Sequence, residues 1–264
     1  MDEASASLNT RLLPFAQLGG AWQMALDQWL LQQGQPALRL YSWQRPTLSL
    51  GYHQRRLPDH WCSLAAAGRV ELVRRPSGGQ AVLHGGDLTY ALVWPNPPSN
   101  RAQAYRQACL WLQQTFLQLG QPLQFGSAPP SLAQGNCFAS STAADLVQAD
   151  GVKRIGSAQL WRSGRLLQHG SIQLSVDGEL WRALFQTEPP QLPPLPAAGP
   201  DLQQLLLESA ARHLPFPPFV ERPLRATELA AVSADLSRYR LAVPESSPAA
   251  TMARTTWGRA RPRG

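Results

Sequence analysis

Apolar and polar positions change period several times along the chain, and each change marks an element. In LGGAWQMALDQWLLQQGQP, residues 18–36, Trp22, Ala25, Leu26, Trp29 and Leu30 recur at helical spacing and share one face. Gly34 and Pro36 end that helix. ALRLYSW and TLSLGYH alternate as two strands, with QRP as the turn between them. A short helix over residues 58–67 precedes a strand, RVELVRR; the turn PSGG then leads to two more, AVLH and LTYALVW. Residues 101–119 predict an amphipathic helix whose apolar face carries Tyr105, Ala108, Cys109, Leu112, Phe116 and Leu119.

A loop rich in Gly, Pro, Ser and Ala, residues 120–136, leads to NCF. DLVQADGVKRIGSAQLWRSGRLLQHGSIQLSV reads as a meander, with DG at 150–151 and SGR at 163–165 as its turns. A proline-rich segment, 189–200, precedes helices near 201–213 and 226–239. Residues 1–10 are polar and read as loose. Strands outnumber helices and several are joined by hairpins. The expected fold is therefore α/β (α+β): a mixed, largely antiparallel sheet flanked by helices. The expected division is a catalytic domain over 11–188, a link with appended helices over 189–240, and a disordered basic tail over 241–264.

Composition narrows the partners. Hydrophobic residues make up 44% of the 264 and charged residues 16%, enough for a buried core. The formal charge of +7 favours acidic partners. The arginines are scattered outside the tail and no nucleic-acid motif accompanies them, so no nucleic-acid partner is expected. Three cysteines, Cys62, Cys109 and Cys137, are too few and too irregular for a disulfide framework or a CxxC metal site. A reducing cytoplasm is the expected compartment. The N-terminus carries no apolar signal region, and no run approaches the ~18 apolar residues of a membrane span, so no membrane partner is expected.

The candidate chemistry sits in three stretches. RRPSGGQAVLHGGDLTY, residues 74–90, places two arginines at a strand end before consecutive glycines. Gly78 and Gly79 let backbone approach a ligand, Arg74 or Arg75 can pair with a phosphate or a carbonyl, and His84 is within reach of the turn. A plain glycine hairpin with a core histidine is the simpler alternative, and the clustering favours a ligand loop. No GK[ST] follows, which excludes a Walker A loop. Cys137 follows a turn-forming Gly-Asn, whereas Cys109 falls on a helical apolar face and Cys62 sits beside Trp61 and Leu64. Only Cys137 has the setting of an exposed thiolate. Lys153 is the one lysine among 24 basic residues, and lysine, unlike arginine, can take part in proton transfer. Gly156, Ser157 and Ala158 continue its strand with room for a ligand. His169, on the next strand, is either a core histidine or a site residue.

Taken in order, MALDQWLL, RLYSWQRPTLSLGYHQ, RRPSGGQAVLHGGDLTY, NCF and GVKRIGSAQ…LLQHGSI resemble the lipoate–biotin protein ligase superfamily over roughly residues 20–175. Within it they look most like cysteine-dependent octanoyltransferases. The resemblance implies that Cys137 accepts the acyl chain with Lys153 beside it. It implies an acyl pocket built by Arg75, Gly78, Gly79, Gln80, Ala81, Val82, Leu83 and His84. The donor would be octanoyl-acyl carrier protein. The acceptor would be a lysine of a lipoyl domain, in glycine cleavage H protein or a 2-oxoacid dehydrogenase E2. No cofactor is implied, because the thioester already carries the activation.

An ATP-dependent lipoate–protein ligase is the alternative. Such ligases usually carry a third glycine where this chain has Gln80, and they do not need Cys137. A non-catalytic acyl-binding homologue is a third option. Two departures from the family pattern bear on chain length and acceptor preference. Gly85 stands where an acidic residue often follows the histidine, and ASSTAADLV lacks bulky aromatics.

Overall fold

A computed structural model describes residues 9–126 and 145–242. Cys137 and the expected tail beyond residue 242 lie outside the described residues. Eight strands form one sheet: β1 (Thr10–Leu18), β2 (Ala37–Trp43), β6 (Asp87–Pro95), β7 (Gln124–Phe125), β8 (Asp145–Val147), β9 (Lys153–Arg162), β10 (Arg165–Gln173) and β11 (Phe219–Glu221). Their order is β11-β1-β2-β6-β10-β9-β8-β7. The pairings of β1 with β11 and with β2 are parallel, and all the others are antiparallel. A second sheet has the order β4-β3-β5, from β3 (Thr47–Leu50), β4 (Glu71–Arg74) and β5 (Val82–His84). The fold is therefore the mixed, largely antiparallel sheet with flanking helices.

Period-two alternation decides which core each strand residue joins. Along β6, Leu88, Tyr90, Leu92 and Trp94 pack under α3 (Arg101–Gln118) and α5 (Gly199–His213). Ala91 and Val93 point to the opposite face, against α1 (Gly20–Gln33). On α3, Ala108, Cys109, Leu112 and Phe116 are buried as the periodicity predicts, and Asn100 caps the helix by accepting the Gln103 amide. A third core joins the small sheet to α2 (Asp59–Ala66) and α4 (Gly178–Phe185) through Trp61, Trp181 and Leu184. The meander has the expected turns. Gly151 has φ +84°, and Ser163 and Gly164 both have positive φ, which suits a tight two-residue hairpin.

Three features depart from the sequence reading. β2 and β3 do not form a hairpin; the chain leaves the large sheet at Trp43 and enters the small one at Thr47. β1 leaves no clean strand signature in the sequence, because Pro14 lacks an amide donor and the register shifts between Leu13 and Ala16, which breaks the alternation. α1 lies between the two sheets and is buried nearly all round, so Gln23 and Asp27 are inside although they read as its polar side.

Residues after 188 are woven into the same cores. Leu202 and Leu206 of α5 pack on α3, β11 adds to the edge of β1, and α6 (Ala226–Ala234) packs on α1. The proline-rich stretch is held by Arg154, which donates to the Pro193 carbonyl at 2.5 Å, and by Gln121, which donates to Pro194. After a 3-10 turn, Leu236–Arg238, the chain returns along β4, where the Arg74 amide donates to Tyr239 and the Leu241 amide to Leu72. Among the described residues no helix is long and apolar enough to cross a membrane.

Arg11 on β1 clamps Glu228 of α6 at 2.8 and 3.1 Å and also donates to the carbonyls of Arg222 and Pro223. The Arg11 hydrogen bonds hold the Glu228 carboxyl down at about 2, against the opposing effect of burial. A depressed carboxyl contributes stability that is complete above its unfolded value and is lost as pH falls through its folded one. Glu228→Gln is therefore expected to lower the unfolding free energy by about 1–3 kcal/mol at neutral pH. The gap to the parent chain should narrow as pH falls from 4.5 toward 2, read from urea unfolding across that range.

Candidate active site

The two sheets and α1 enclose a slot. Met24, Tyr41, Trp43 and Val82 give it an apolar wall. The backbones of Gly156, Ser157 and Ala158 on β9, and Gly170 on β10, form its floor, with Ser49, Arg75, Gly79, His84 and His169 as its polar positions. Gly170 is required here. A Cβ would approach Tyr90 and the Ser157 hydroxyl to 2.6 Å, and those two hydroxyls hydrogen-bond at 2.8 Å.

Each slot histidine is held at both ring nitrogens. His169 Nδ1 lies 2.7 Å from Asp27 Oδ2, and its Nε2 lies 2.5 Å from Ser77 Oγ. Asp27 also accepts from the Tyr41 hydroxyl and makes an ion pair with Arg39 at 2.9 Å. His84 Nδ1 lies 2.7 Å from Asp87 Oδ2, its Nε2 lies 2.8 Å from Ser49 Oγ, and Trp43 stacks on its ring at 4.0 Å. Asp87 also accepts from Thr89, Ser171 and the Gly85 amide. Burial pushes the Asp87 carboxyl up, but the charge of His84 and the hydrogen bonds it accepts outweigh this and hold it below the usual range. Ser77 is buried and lies outside the slot lining. Its Ser–His–Asp line therefore orients an imidazole rather than supplying a nucleophile.

Arg75 settles the alternative between the paired arginines in an unexpected way. Its guanidinium donates to the carbonyls of Ser49, Gly78 and Gln80 at 2.7–3.1 Å, so it holds the glycine loop in place. Arg74 donates to the carbonyls of Gly51 and Gln54. Gly79 has φ +93°, and a Cβ there would meet the Arg75 guanidinium at 2.7 Å. A Cβ on Gly51 would overlap the Gly79 carbonyl oxygen, whereas one on Gly78 would meet nothing within 4 Å.

Arg75, Gly79, Val82, His84, Gly156, Ser157, Ala158 and His169 thus come together around one slot. Ala81 and Leu83 do not line it. They alternate with Val82 and His84 and turn into the core of the small sheet. Gln80 contributes its carbonyl to Arg75, and Gly78 borders an adjoining depression. Lys153 is buried at the start of β9, three residues, or about 10 Å of strand, before Gly156. Its ammonium pairs with Asp145 at 2.7 Å, both side chains being 5% exposed or less. Cys109 is buried in the α3 core, where burial pushes its thiol up to about 12, so it is not a thiolate at neutral pH.

Sequence reading missed Asp27, Arg39, Ser77, Asp87 and Asp145. Only Asp87 left a local signal, its i+3 spacing from His84.

This mixed sheet with a small companion sheet is the fold of lipoate protein ligases. The chain superposes with a TM-score of 0.69 on a lipoate-protein ligase A solved with ATP, at 18% identity over 87% of this chain and 94% of that one. It superposes at 0.67 on a bi-partite lipoate protein ligase of Thermoplasma acidophilum solved with its E2 lipoyl domain, at 16% identity over 87% and 92%. The chain belongs to the lipoyl protein ligase A/B catalytic domain family, which matches residues 20–192. Among curated relatives it is 39% identical to octanoyltransferase LipM of Oceanobacillus iheyensis over 184 residues, 63% of this chain and 64% of that protein. It is 37% identical to octanoyltransferase LipM of Kyrpidia tusciae over 194 residues, 66% and 68% of the two. The chain thus spans about two thirds of the length of these relatives, slightly less for the first.

The loop geometry separates the glycines. Gly51→Ala is expected to cost about 1–3 kcal/mol by overpacking against Gly79. Gly78→Ala should stay within about 0.5 kcal/mol of the parent. Urea midpoints of the two variants measure the difference.

Proposed function

We propose that this chain is an octanoyltransferase of lipoate assembly, moving an octanoyl group from acyl carrier protein to a lipoyl-domain lysine through a thioester on Cys137. The identity of 37–39% with curated octanoyltransferases carries the reading. The slot supports it, since an apolar wall ending in a few fixed polar groups suits a medium acyl chain. The likeness to a ligase solved with an E2 lipoyl domain is one of fold, and it supports a lipoyl domain as the kind of acceptor. A reducing cytoplasm is the compartment that keeps a cysteine nucleophile free.

In the first step the Cys137 thiolate attacks the thioester carbonyl. A new carbon–sulfur bond forms, the bond to the carrier sulfur breaks, and the carrier thiolate leaves and takes up a proton. One thioester replaces another, so little free energy is required. In the second step the acceptor amine attacks the acyl-enzyme, a carbon–nitrogen bond forms, and Cys137 leaves as thiolate. The amine must shed a proton, and Lys153 in its neutral form accepts it. Its ammonium form stabilises the Cys137 thiolate before the first step and again as it leaves in the second; the proton it releases in between balances the one the carrier thiolate takes up. Asp145, eight residues after Cys137 in the chain, orients Lys153 and cancels part of its charge.

Incubation with octanoyl-acyl carrier protein, without ATP, is expected to add one octanoyl group by intact mass and to yield octanoylated lipoyl domain. A mass gain that survives Cys137→Ala, or transfer that requires ATP, sinks the transferase reading in favour of the ligase.

Lys153 and Asp145 have a separate test. Lys153→Arg keeps the charge and is expected to slow the second step about 100-fold while acylation of Cys137 persists. Asp145→Asn should slow both steps about 10- to 100-fold through lost positioning. Single-turnover kinetics of the two half-reactions distinguish these outcomes.

A further inference from the structure

A wide depression of about 510 Å³ adjoins the acyl slot and shares Arg75 with it. It is lined by five arginines from four separate segments: Arg74 with Arg75, Arg101, Arg162 and Arg238, with His53 at its side. Among the described residues no carboxylate lines it. Arg74 and Arg75 are committed to backbone carbonyls, but Arg101, Arg162 and Arg238 are exposed and make no ion pair with a carboxylate among the described residues. Like charges stand close here. Burial, and then the nearby charge of Arg55, make Arg74 less basic than usual. Apolar contact area is present as well. Tyr52 is 47% exposed, and Trp161 is half-buried with the Arg101 guanidinium 5.5 Å over its ring. Arginine with tyrosine and tryptophan is the composition of a binding hot spot rather than of a merely solvated surface.

We propose that this depression docks the acidic carrier protein that presents the acyl group, a reading that rests on the transferase function above. An acyl chain entering the slot trails its carrier behind it. The surface flush with the Arg75 wall is where that carrier comes to rest. Uncompensated positive charge at this point speeds encounter with an acidic partner, and it matters less as salt screens it.

The test compares two donors in the first half-reaction: octanoyl-acyl carrier protein and the uncharged small thioester S-octanoyl-pantetheine. With the carrier-borne donor, kcat/KM for acylation is expected to fall about tenfold from low to high salt. The triple variant Arg101→Gln/Arg162→Gln/Arg238→Gln should lose about as much at low salt and show a flattened salt dependence. The corresponding triple lysine variant should recover most of the rate. With S-octanoyl-pantetheine, salt and the glutamine variant should each change the rate less than about twofold. The docking surface is overturned if the glutamine variant keeps the salt dependence, if both donors slow equally, or if only transfer to the lipoyl domain slows. Failure of both donors to acylate the parent chain overturns the transferase reading itself.

Discussion

A single carboxylate out of contact with water organises the middle of this molecule. Asp27 sits on a helix enclosed between two sheets, and its side chain has no exposed surface. An ionised group there is tolerated only when paired and hydrogen-bonded. Its partners come from separate elements: Arg39 from β2, His169 from β10 and the Tyr41 hydroxyl beside them. His169 in turn reaches Ser77 in the glycine-rich loop of the small sheet. The same charge therefore locks α1 to the large sheet and the large sheet to the loop that closes the slot. Removing one partner leaves the other buried and uncompensated, which typically costs about 3–5 kcal/mol. Arg39 has its own support, lying 3.9 Å over the Tyr41 ring and donating to Gln23 at 2.6 Å.

The second histidine repeats the logic on the facing side. Asp87 holds His84, and Thr89 links the same carboxylate to the Trp43 indole, which stacks on that imidazole. The apolar wall and both slot histidines are thus positioned by polar groups behind them. A slot built this way resists collapse, because moving the wall breaks hydrogen bonds that water cannot replace.

What was legible in the sequence follows from where the physics is local. The helix at 101–118, the meander turns and the clustered ligand loop depend on spacing and on Gly, with Asp or Ser before it, at tight turns, and these are visible in a short window. The small residues at 156–158 and the histidines at 84 and 169 were visible as candidates for the same reason. Long-range pairing was not legible. Nothing near Asp27 announces Arg39 or His169, and a carboxylate in an amphipathic helix ordinarily faces solvent. The division of RLYSWQRPTLSL between two sheets depends on which partner each strand finds, whereas the alternation of each half is the same either way. A motif groups Ala81 and Leu83 with the slot because it treats consecutive residues alike, while a strand turns alternate residues to opposite sides.

The division of labour between arginine and lysine draws these observations together. Wherever the fold needs a buried cation to join segments, it uses the planar fork of arginine across several acceptors. Arg75 spans three carbonyls, Arg11 joins two carbonyls to a carboxylate, and Arg154 bridges Gln173 and Pro193. A guanidinium is suited to this because it presents five donors and keeps its charge. Among the described residues the one buried cation that departs from the pattern is Lys153, held by Asp145 at the start of the strand that floors the slot. An ammonium can release its proton to become a base, and a guanidinium in a protein does not. On the proposed mechanism the chain keeps its single lysine where a cation must change state, and uses arginine where a cation must stay as it is.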